Sequence, residues 1–222
     1  MSAALGIAGR SFKDIPTPAM CVDVDALDRN IRRMADFFRD RPCKLRPHWK
    51  SNKCVEIARR QLAAGGAVGI TAAKLAEAEA LVAGGIDDVL IANQVVGPDK
   101  AARLAELNTR ATVRAAVDDA GNVAELAAAA RAAGVAIGLL VEVDIGMSRC
   151  GVAPRGPAID LARVVASTPG VRFDGLQGYE GHLVLKPPGE EKNAATVKAM
   201  NLLVATRRAI EAAGLPVRIV SG

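Results

Sequence analysis

The stretch AIGLLVEVDIGMSRCG, residues 136–151, decides the fold. Its first eight residues form an almost unbroken apolar run, which is typical of a parallel strand buried on both faces. Aspartate, glycine, serine and arginine follow at once, as in a loop that leaves the end of a strand. Alanine-rich helical patterns flank the stretch at residues 120–133 and 157–167. This strand–loop–helix order predicts a parallel α/β architecture.

The same alternation continues along the rest of the chain. We predict strands at residues 19–24, 44–49, 67–71, 88–92, 112–117, 136–143, 172–177 and 217–220. We predict helices at residues 25–40, with Asp25 as N-cap, and at 52–64, 73–83, 98–107, 120–133, 157–167 and 190–213. Both a (β/α)8 barrel and a doubly wound open sheet have such an order. The sequence contains neither GxGxxG after the first strand nor GxxxxGK[ST], which argues against a nucleotide-binding doubly wound sheet.

Chemically distinctive residues follow the predicted strand ends. They are the segment RPHWKSNK at residues 46–53, the segment DIGMSRCG at 144–151, Tyr179 and His182, and the pair Ser221-Gly222. Each has an ordinary structural explanation, such as a solvated lysine, a paired arginine or a packed aromatic ring. In a barrel, however, the carboxyl ends of all strands meet at one face, where active sites are built. Their coincidence there favours the barrel.

Composition and charge exclude several classes of protein. The 222 residues carry a net charge of +5, and the basic residues are scattered among acidic ones without a series of aromatic residues, which argues against a nucleic-acid surface. The four cysteines form no CxxC pair, as expected for free thiols in a cytoplasmic protein. No secretory leader pattern and no run of 18 apolar residues occurs, so we expect no membrane association.

Five segments resemble the fold-type III pyridoxal-phosphate (PLP) enzymes with an alanine racemase-like N-terminal domain, in particular the D-threonine aldolase and D-serine dehydratase-like group. They are PAMCVDVDALDR at 18–29, RPHWKSNK at 46–53, AEAEALVAGGIDDVLIAN at 76–93, VEVDIGMSRCGV at 141–152 and GLQGY at 175–179. The second is similar to the group's Arg-Pro-His-x-Lys-Thr-His-Lys, and the fourth to its Glu-hydrophobic-Asp-x-Gly-x-x-Arg-Cys-Gly-Val. Asn52 stands where the aldolase segment has histidine.

The resemblance implies a role for each candidate residue. Lys50 would carry PLP as a Schiff base, because only a primary amine forms an exchangeable imine with the cofactor aldehyde. Arg149 would lie beside the cofactor ring, Gln177 and Tyr179 would line the ring and the substrate, and His48 would hold the Lys50 segment or touch the cofactor. Ser221 and Gly222 would begin the phosphate-binding loop, whose backbone N–H groups cradle the anion.

The resemblance also implies a domain organisation. Residues 1–16 would be a lead-in, and 17–222 a PLP-binding (β/α)8 barrel of TIM type with seven of its eight strands. The strand at 19–24 would belong to a second, C-terminal β domain that lies outside these residues. That domain would supply the ligands of a divalent metal, Mn²⁺, Mg²⁺ or Zn²⁺. We therefore expect residues 1–222 to be a fragment that is poorly stable or inactive alone.

The function that the resemblance implies is a lyase acting on D-β-hydroxy-α-amino acids, by aldol cleavage to glycine and an aldehyde. The group has a histidine six residues after the tyrosine, where this chain has Leu185. His182, three residues after Tyr179, is the candidate catalytic residue that could substitute for it; alternatively, a metal and a base of the second domain would take the β-hydroxyl proton. Dehydration of D-serine or 3-hydroxyaspartate and amino-acid racemisation stay open, since they would use the same lysine. A non-enzymatic PLP-binding homeostasis protein is a further alternative. A homodimer is expected.

Overall fold

The computed structural model describes residues 9–222, and its centre is one sheet of six parallel strands. The strands are β1 (Ile70–Ala72), β2 (Asp88–Ile91), β3 (Thr112–Val117), β4 (Ile137–Glu142), β5 (Val171–Gln177) and β6 (Ile219–Ser221). They lie in the sheet in the same order as in the chain. A doubly wound sheet reverses its strand order at a switch point, whereas a barrel adds each strand beside the last. The sheet is therefore a curled half-barrel, which confirms the predicted barrel class.

Seven α-helices among residues 9–222 connect and flank the strands. They are α1 (Val24–Arg39), α2 (Val55–Ala63), α3 (Leu75–Ala83), α4 (Pro98–Leu107), α5 (Ala120–Ala132), α6 (Gly156–Ser167) and α7 (Glu190–Ala212). Local sequence sets several of their starts: the Asp119 carboxylate caps α5 by accepting from the N–H of Asn122, and Pro98 occupies the first turn of α4. No helix among residues 9–222 is long and apolar enough to cross a membrane.

The two faces of the sheet have different chemistry. In β3, Val113, Ala115 and Val117 belong to the apolar core shared with the helices. The alternate residue Arg114 turns to the opposite, concave face, since successive strand side chains point to opposite sides. The apolar side chains of one face thus hold the helices, whereas the concave face carries charged groups together with the buried Leu90, Ala116 and Leu140.

A network of ion pairs occupies the concave face toward the amino ends of the strands. Arg114 contacts both Asp88, at 3.1 Å, and Asp174, at 2.9 Å. Arg46 reaches Asp88 at 2.5 Å, and Arg172 reaches Asp174 at 2.6 Å. The Asp174 side chain is only 3% exposed, so this charge depends on its two arginine partners.

The predicted strand at residues 19–24 does not form, and its helix begins earlier than expected. Residues 19–23 are irregular and exposed, with Met20 89% exposed. Helix α1 starts at Val24, and the carboxylate of Asp23, not that of Asp25, accepts from the N–H of Ala26 at 2.9 Å. A strand needs a neighbouring strand for its backbone groups, and the described part of the chain offers none here. Residues 1–8 of the predicted lead-in lie outside the described residues.

The predicted strand at residues 44–49 is replaced by two isolated parallel bridges, so the sheet has six strands and not seven among the described residues. Leu45 pairs with Ala67, and His48 pairs with Thr71. Between them Pro47 has no N–H to donate, although its carbonyl accepts from Thr71 N at 2.8 Å. A 3-10 turn at Trp49–Ser51 then leaves the sheet direction. The segment keeps its predicted position beside β1 without becoming a regular strand.

Candidate active site

The carboxyl ends of three neighbouring strands bring polar side chains into one row. Glu142 at the end of β4 is in register with Gln177 at the end of β5. Gln177 is in turn in register with Ser221 at the end of β6. Parallel strands place registered residues on the same face and at the same height of a sheet. The predicted convergence of strand ends is therefore realised for β4, β5 and β6.

Lys50 lies in the short 3-10 turn that follows the bridged segment beside β1. Its side chain is exposed, and its backbone N–H donates to Nδ1 of His48 at 3.4 Å. The neighbouring Trp49 is buried in the core and anchors the turn. Burial, and secondly the charge of Lys50, lower the pKa of His48. The neutral ring of His48 is the form that can accept from the Lys50 N–H.

Arg149 and Tyr179 form a pair across the loops that follow β4 and β5. The Arg149 guanidinium carbon lies 5.5 Å from the centroid of the Tyr179 ring, within the range of a cation–π contact. The β4 loop is shaped by Asp144, whose Oδ1 accepts from the N–H groups of Gly146 and Ser148 at 2.9 and 3.0 Å. These hydrogen bonds lower the pKa of Asp144, and the bond from Ser148 has the largest effect. The loop thus presents a fixed cation over an aromatic face.

His182 lies in the 3-10 turn Gly181–Leu183 and contacts the β4 loop. A methyl group placed on Gly146 would lie 3.2 Å from His182 Cε1, and Gly146 also has a φ of 122° that favours glycine. The side chain of His182 is exposed. The fold therefore brings His182 beside the loop that carries Arg149.

Ser221 and Gly222 lie at the end of β6, next to the start of the β5 loop. The Ser221 carbonyl accepts from the N–H of Gly178 at 2.9 Å. A Cβ on Gly222 would lie 3.3 Å from the Gly178 carbonyl oxygen, so the two backbones approach closely. These two residues border the same row as Gln177.

Glu142 is a further candidate site residue. It lies in the segment 141–152, but the resemblance to the aldolase group implied no role for it. It is only 3% exposed, and it accepts from Cys150 Sγ and Gln94 Nε2, both at 3.1 Å, and from Gln177 Nε2 at 3.4 Å. Burial is the main cause that raises the pKa of Glu142, and burial likewise raises the pKa of Cys150. The signal in the sequence was a single carboxylate inside the apolar run 136–143.

The predicted residues thus fall into two groups at the same edge of the sheet. One group lies at or just after the ends of β4, β5 and β6, and its members are Arg149, Gln177, Tyr179, His182 and the Ser221-Gly222 pair. In the other group, His48 belongs to the bridged segment beside β1 and Lys50 follows it. Hydrogen bonds within residues 9–222 do not link the two groups. Nor do those residues contain three or more His, Cys, Asp or Glu side chains grouped to hold a metal ion.

Known proteins resemble this chain in both sequence and structure. The family profile "Alanine racemase, N-terminal domain" matches residues 22–222. A 3-hydroxy-D-aspartate aldolase of Paracoccus denitrificans (strain Pd 1222) is 39% identical over 97% of this chain and 56% of its own. A D-threonine aldolase from Filomicrobium marinum is 42% identical in sequence to this chain. Its crystal structure matches this fold with a TM-score of 0.92, over 95% of this chain and 57% of that one.

A third relative has a different activity in its name. The D-threo-3-hydroxyaspartate dehydratase from Delftia sp. HT23 is 31% identical, with a TM-score of 0.84 over 93% of this chain and 55% of that one. The chain spans little more than half the length of these relatives. Since the profile covers nearly the whole chain and the resemblance extends to the fold, the chain belongs to the alanine racemase N-terminal domain family.

Proposed function

We propose that this chain is the barrel part of a pyridoxal-phosphate-dependent lyase that cleaves D-β-hydroxy-α-amino acids into glycine and an aldehyde. The observation that carries the proposal is the placement of Lys50, and of the Arg149–Tyr179 pair, after strand positions at one edge of a parallel half-barrel. The names of the aldolase relatives support the reaction type. They also favour an enzyme over a non-enzymatic carrier.

The residues at this edge fit the proposed cofactor. Lys50 offers an exposed primary amine that can bond to an aldehyde. Gln177 is 5% exposed, and its side-chain oxygen is buried with no hydrogen-bond partner among residues 9–222. A buried acceptor without a donor is costly unless a ligand satisfies it. The Arg149–Tyr179 pair adds a positive charge and an aromatic face, which suit a planar anionic cofactor.

The residues of the chain would share the work as follows. Lys50 would hold the cofactor and give up its place to the amino group of the substrate. Arg149 would bind polar substituents of the ring, Tyr179 would lie against it, and Ser221 and Gly222 would contribute to the phosphate site. When bound, pyridoxal phosphate supplies an electron sink for the negative charge that develops at the substrate Cα.

The aldol cleavage needs a base for the β-hydroxyl proton. His182, exposed beside the β4 loop, is the histidine of this chain that we assign to that proton. Loss of the proton lets the C–O bond become a carbonyl while the Cα–Cβ bond breaks, and its electron pair stays on Cα. The aldehyde leaves, and protonation of Cα gives glycine.

Dehydration is the second candidate, and it rests on the relationship to the Delftia dehydratase. The same lysine would then serve a reaction in which the β-hydroxyl leaves as water, with ammonia and a keto acid as final products. The higher identity to the two aldolases, 39% and 42% against 31%, favours cleavage. Product analysis with D-threonine and with a D-3-hydroxyaspartate separates the two: glycine plus aldehyde supports the proposal, and ammonia plus keto acid contradicts it.

The anchor lysine is tested by titration with pyridoxal phosphate, reduction with borohydride and peptide mass mapping. We expect an absorbance band of lysine-bound cofactor and the added mass on Lys50. Lys50→Ala should lose both. Lys53→Ala is the matched control, since Lys53 is an exposed lysine three residues further on, 3.7 Å from Glu77, and should keep both. Added mass on another lysine, or no band in the wild-type protein, would overturn the assignment.

A further inference from the structure

The buried carboxylate of Glu142 sets the orientation of the Gln177 side chain. Cys150 Sγ and Gln94 Nε2 both donate to Glu142, which is the arrangement of an ionised carboxylate that only accepts hydrogen bonds. The group of Gln177 that faces Glu142 is therefore the NH2 group. The Nε2–Oε2 distance is 3.4 Å, and both side chains are at least 95% buried. The oxygen of the Gln177 amide must therefore point away from Glu142.

That oxygen has no partner. Gln177 Oε1 is buried and accepts no hydrogen bond from any of residues 9–222. By contrast, Glu142 is satisfied, because Cys150, Gln94 and Gln177 all donate to it. The unpaired group in this cluster is thus an acceptor, at the carboxyl end of β5, two residues before Tyr179. An unsatisfied buried acceptor in a site marks a place for a donor from a ligand.

We propose that Glu142 is a positioning residue that keeps Gln177 Oε1 free to accept a hydrogen bond from an N–H or O–H group of the bound ligand. The inference rests on the proposed function, since the ligand is the cofactor or the amino-acid substrate. Without the Glu142 carboxylate, the Gln177 amide could rotate by 180° and present its NH2 group instead. Two donors would then face each other, and binding would weaken.

A double-mutant cycle tests whether Glu142 acts through Gln177. The variants are Glu142→Met, Gln177→Met and the double variant, which replace polar groups with side chains of similar length. The measurements are the Kd for pyridoxal phosphate from absorbance titration, the position of the absorbance band, and KM for D-threonine. Thermal unfolding of each variant shows whether it is folded at the assay temperature.

We expect each single variant to weaken binding about tenfold, the equivalent of one hydrogen bond. The double variant should also be about tenfold weaker, because Glu142→Met has nothing left to misorient once Gln177 is gone. A shift in Kd and in the absorbance band places the donor on the cofactor. A shift in KM alone places it on the substrate amino acid.

Two results would overturn the inference while leaving the proposed function intact. One is wild-type binding in all three variants, which would mean that no ligand donor meets Gln177. The other is a double variant about a hundredfold weaker, since additive losses mean that Glu142 does not act through Gln177. A wild-type protein that binds no pyridoxal phosphate would instead overturn the proposed function, and this inference with it.

Discussion

Replacing Asp174 by asparagine should destabilise the half-barrel strongly, although the site edge is untouched. Asp174 accepts three hydrogen bonds from charged donors: two from Arg172, at 2.6 and 2.9 Å, and one from Arg114 at 2.9 Å. Asparagine keeps the shape but removes the charge, and its NH2 group must face a guanidinium donor. Hydrogen bonds to charged groups contribute about 1.5–3 kcal/mol each, and Arg114 keeps its second partner Asp88. We therefore expect a loss of about 3 kcal/mol.

The loss is measured as a change in Tm by circular dichroism at pH 7. For a chain of this length, 1 kcal/mol corresponds to about 2–4 °C, so Asp174→Asn should lower Tm by about 6–12 °C. The matched control is Asp160→Asn in α6. The Asp160 carboxylate lies 3.4 Å from the guanidinium of Arg163. The Asp160 side chain is 74% exposed and that of Arg163 is 59% exposed. Exposed pairs contribute little, so the control should lower Tm by no more than about 2 °C.

Equal Tm values for Asp174→Asn and Asp160→Asn would refute the reasoning. Such a result would mean that the cost of removing Asp174 from water cancels its attraction to Arg114 and Arg172, as happens for some buried ion pairs. A double-mutant cycle with Arg172→Met would then show whether any coupling remains. Only a large loss for Asp174→Asn, with a small one for the control, supports a stabilising role for the ion-pair network.

Two further predictions concern pH and backbone packing. Burial is the main cause that lowers the pKa of His48 in the folded protein. As the pH falls, the histidine is therefore protonated at a higher pH in the unfolded chain than in the folded one. Stability should fall as the pH drops below about 6.5. Tm measured from pH 8 to pH 5 should fall less in His48→Asn than in the wild type, and parallel curves would contradict the assignment. Gly175→Ala should cost about 3 kcal/mol in chemical denaturation, because its Cβ would overlap the Ile219 carbonyl oxygen and φ is 151°. Gly156→Ala, with open space around its Cβ, should stay within about 0.5 kcal/mol, and an equal loss in both variants would show that the β5–β6 approach is not the cause.

The order of strands and helices was determined by local sequence, because each element has its own periodicity. The buried run at 136–143 predicted β4, and the alanine-rich pattern at 120–133 predicted α5, each to within a residue or two. The clustering of Arg149, Tyr179 and Ser221 at one edge followed from the same pattern, since parallel strands must align their carboxyl ends.

Tertiary structure decided whatever depends on a partner distant in sequence. The residues at 19–24 have the composition of a strand, and those at 44–49 stand where the alternation of elements calls for one. Strand formation also requires neighbouring backbone groups, and Pro47 interrupts the second segment. The pairing of Glu142 with Gln177 across 35 residues was equally hidden, because it depends on the register between β4 and β5. Sequence periodicity assigns a side chain to a face of its own strand, whereas register decides which side chain of the next strand it meets.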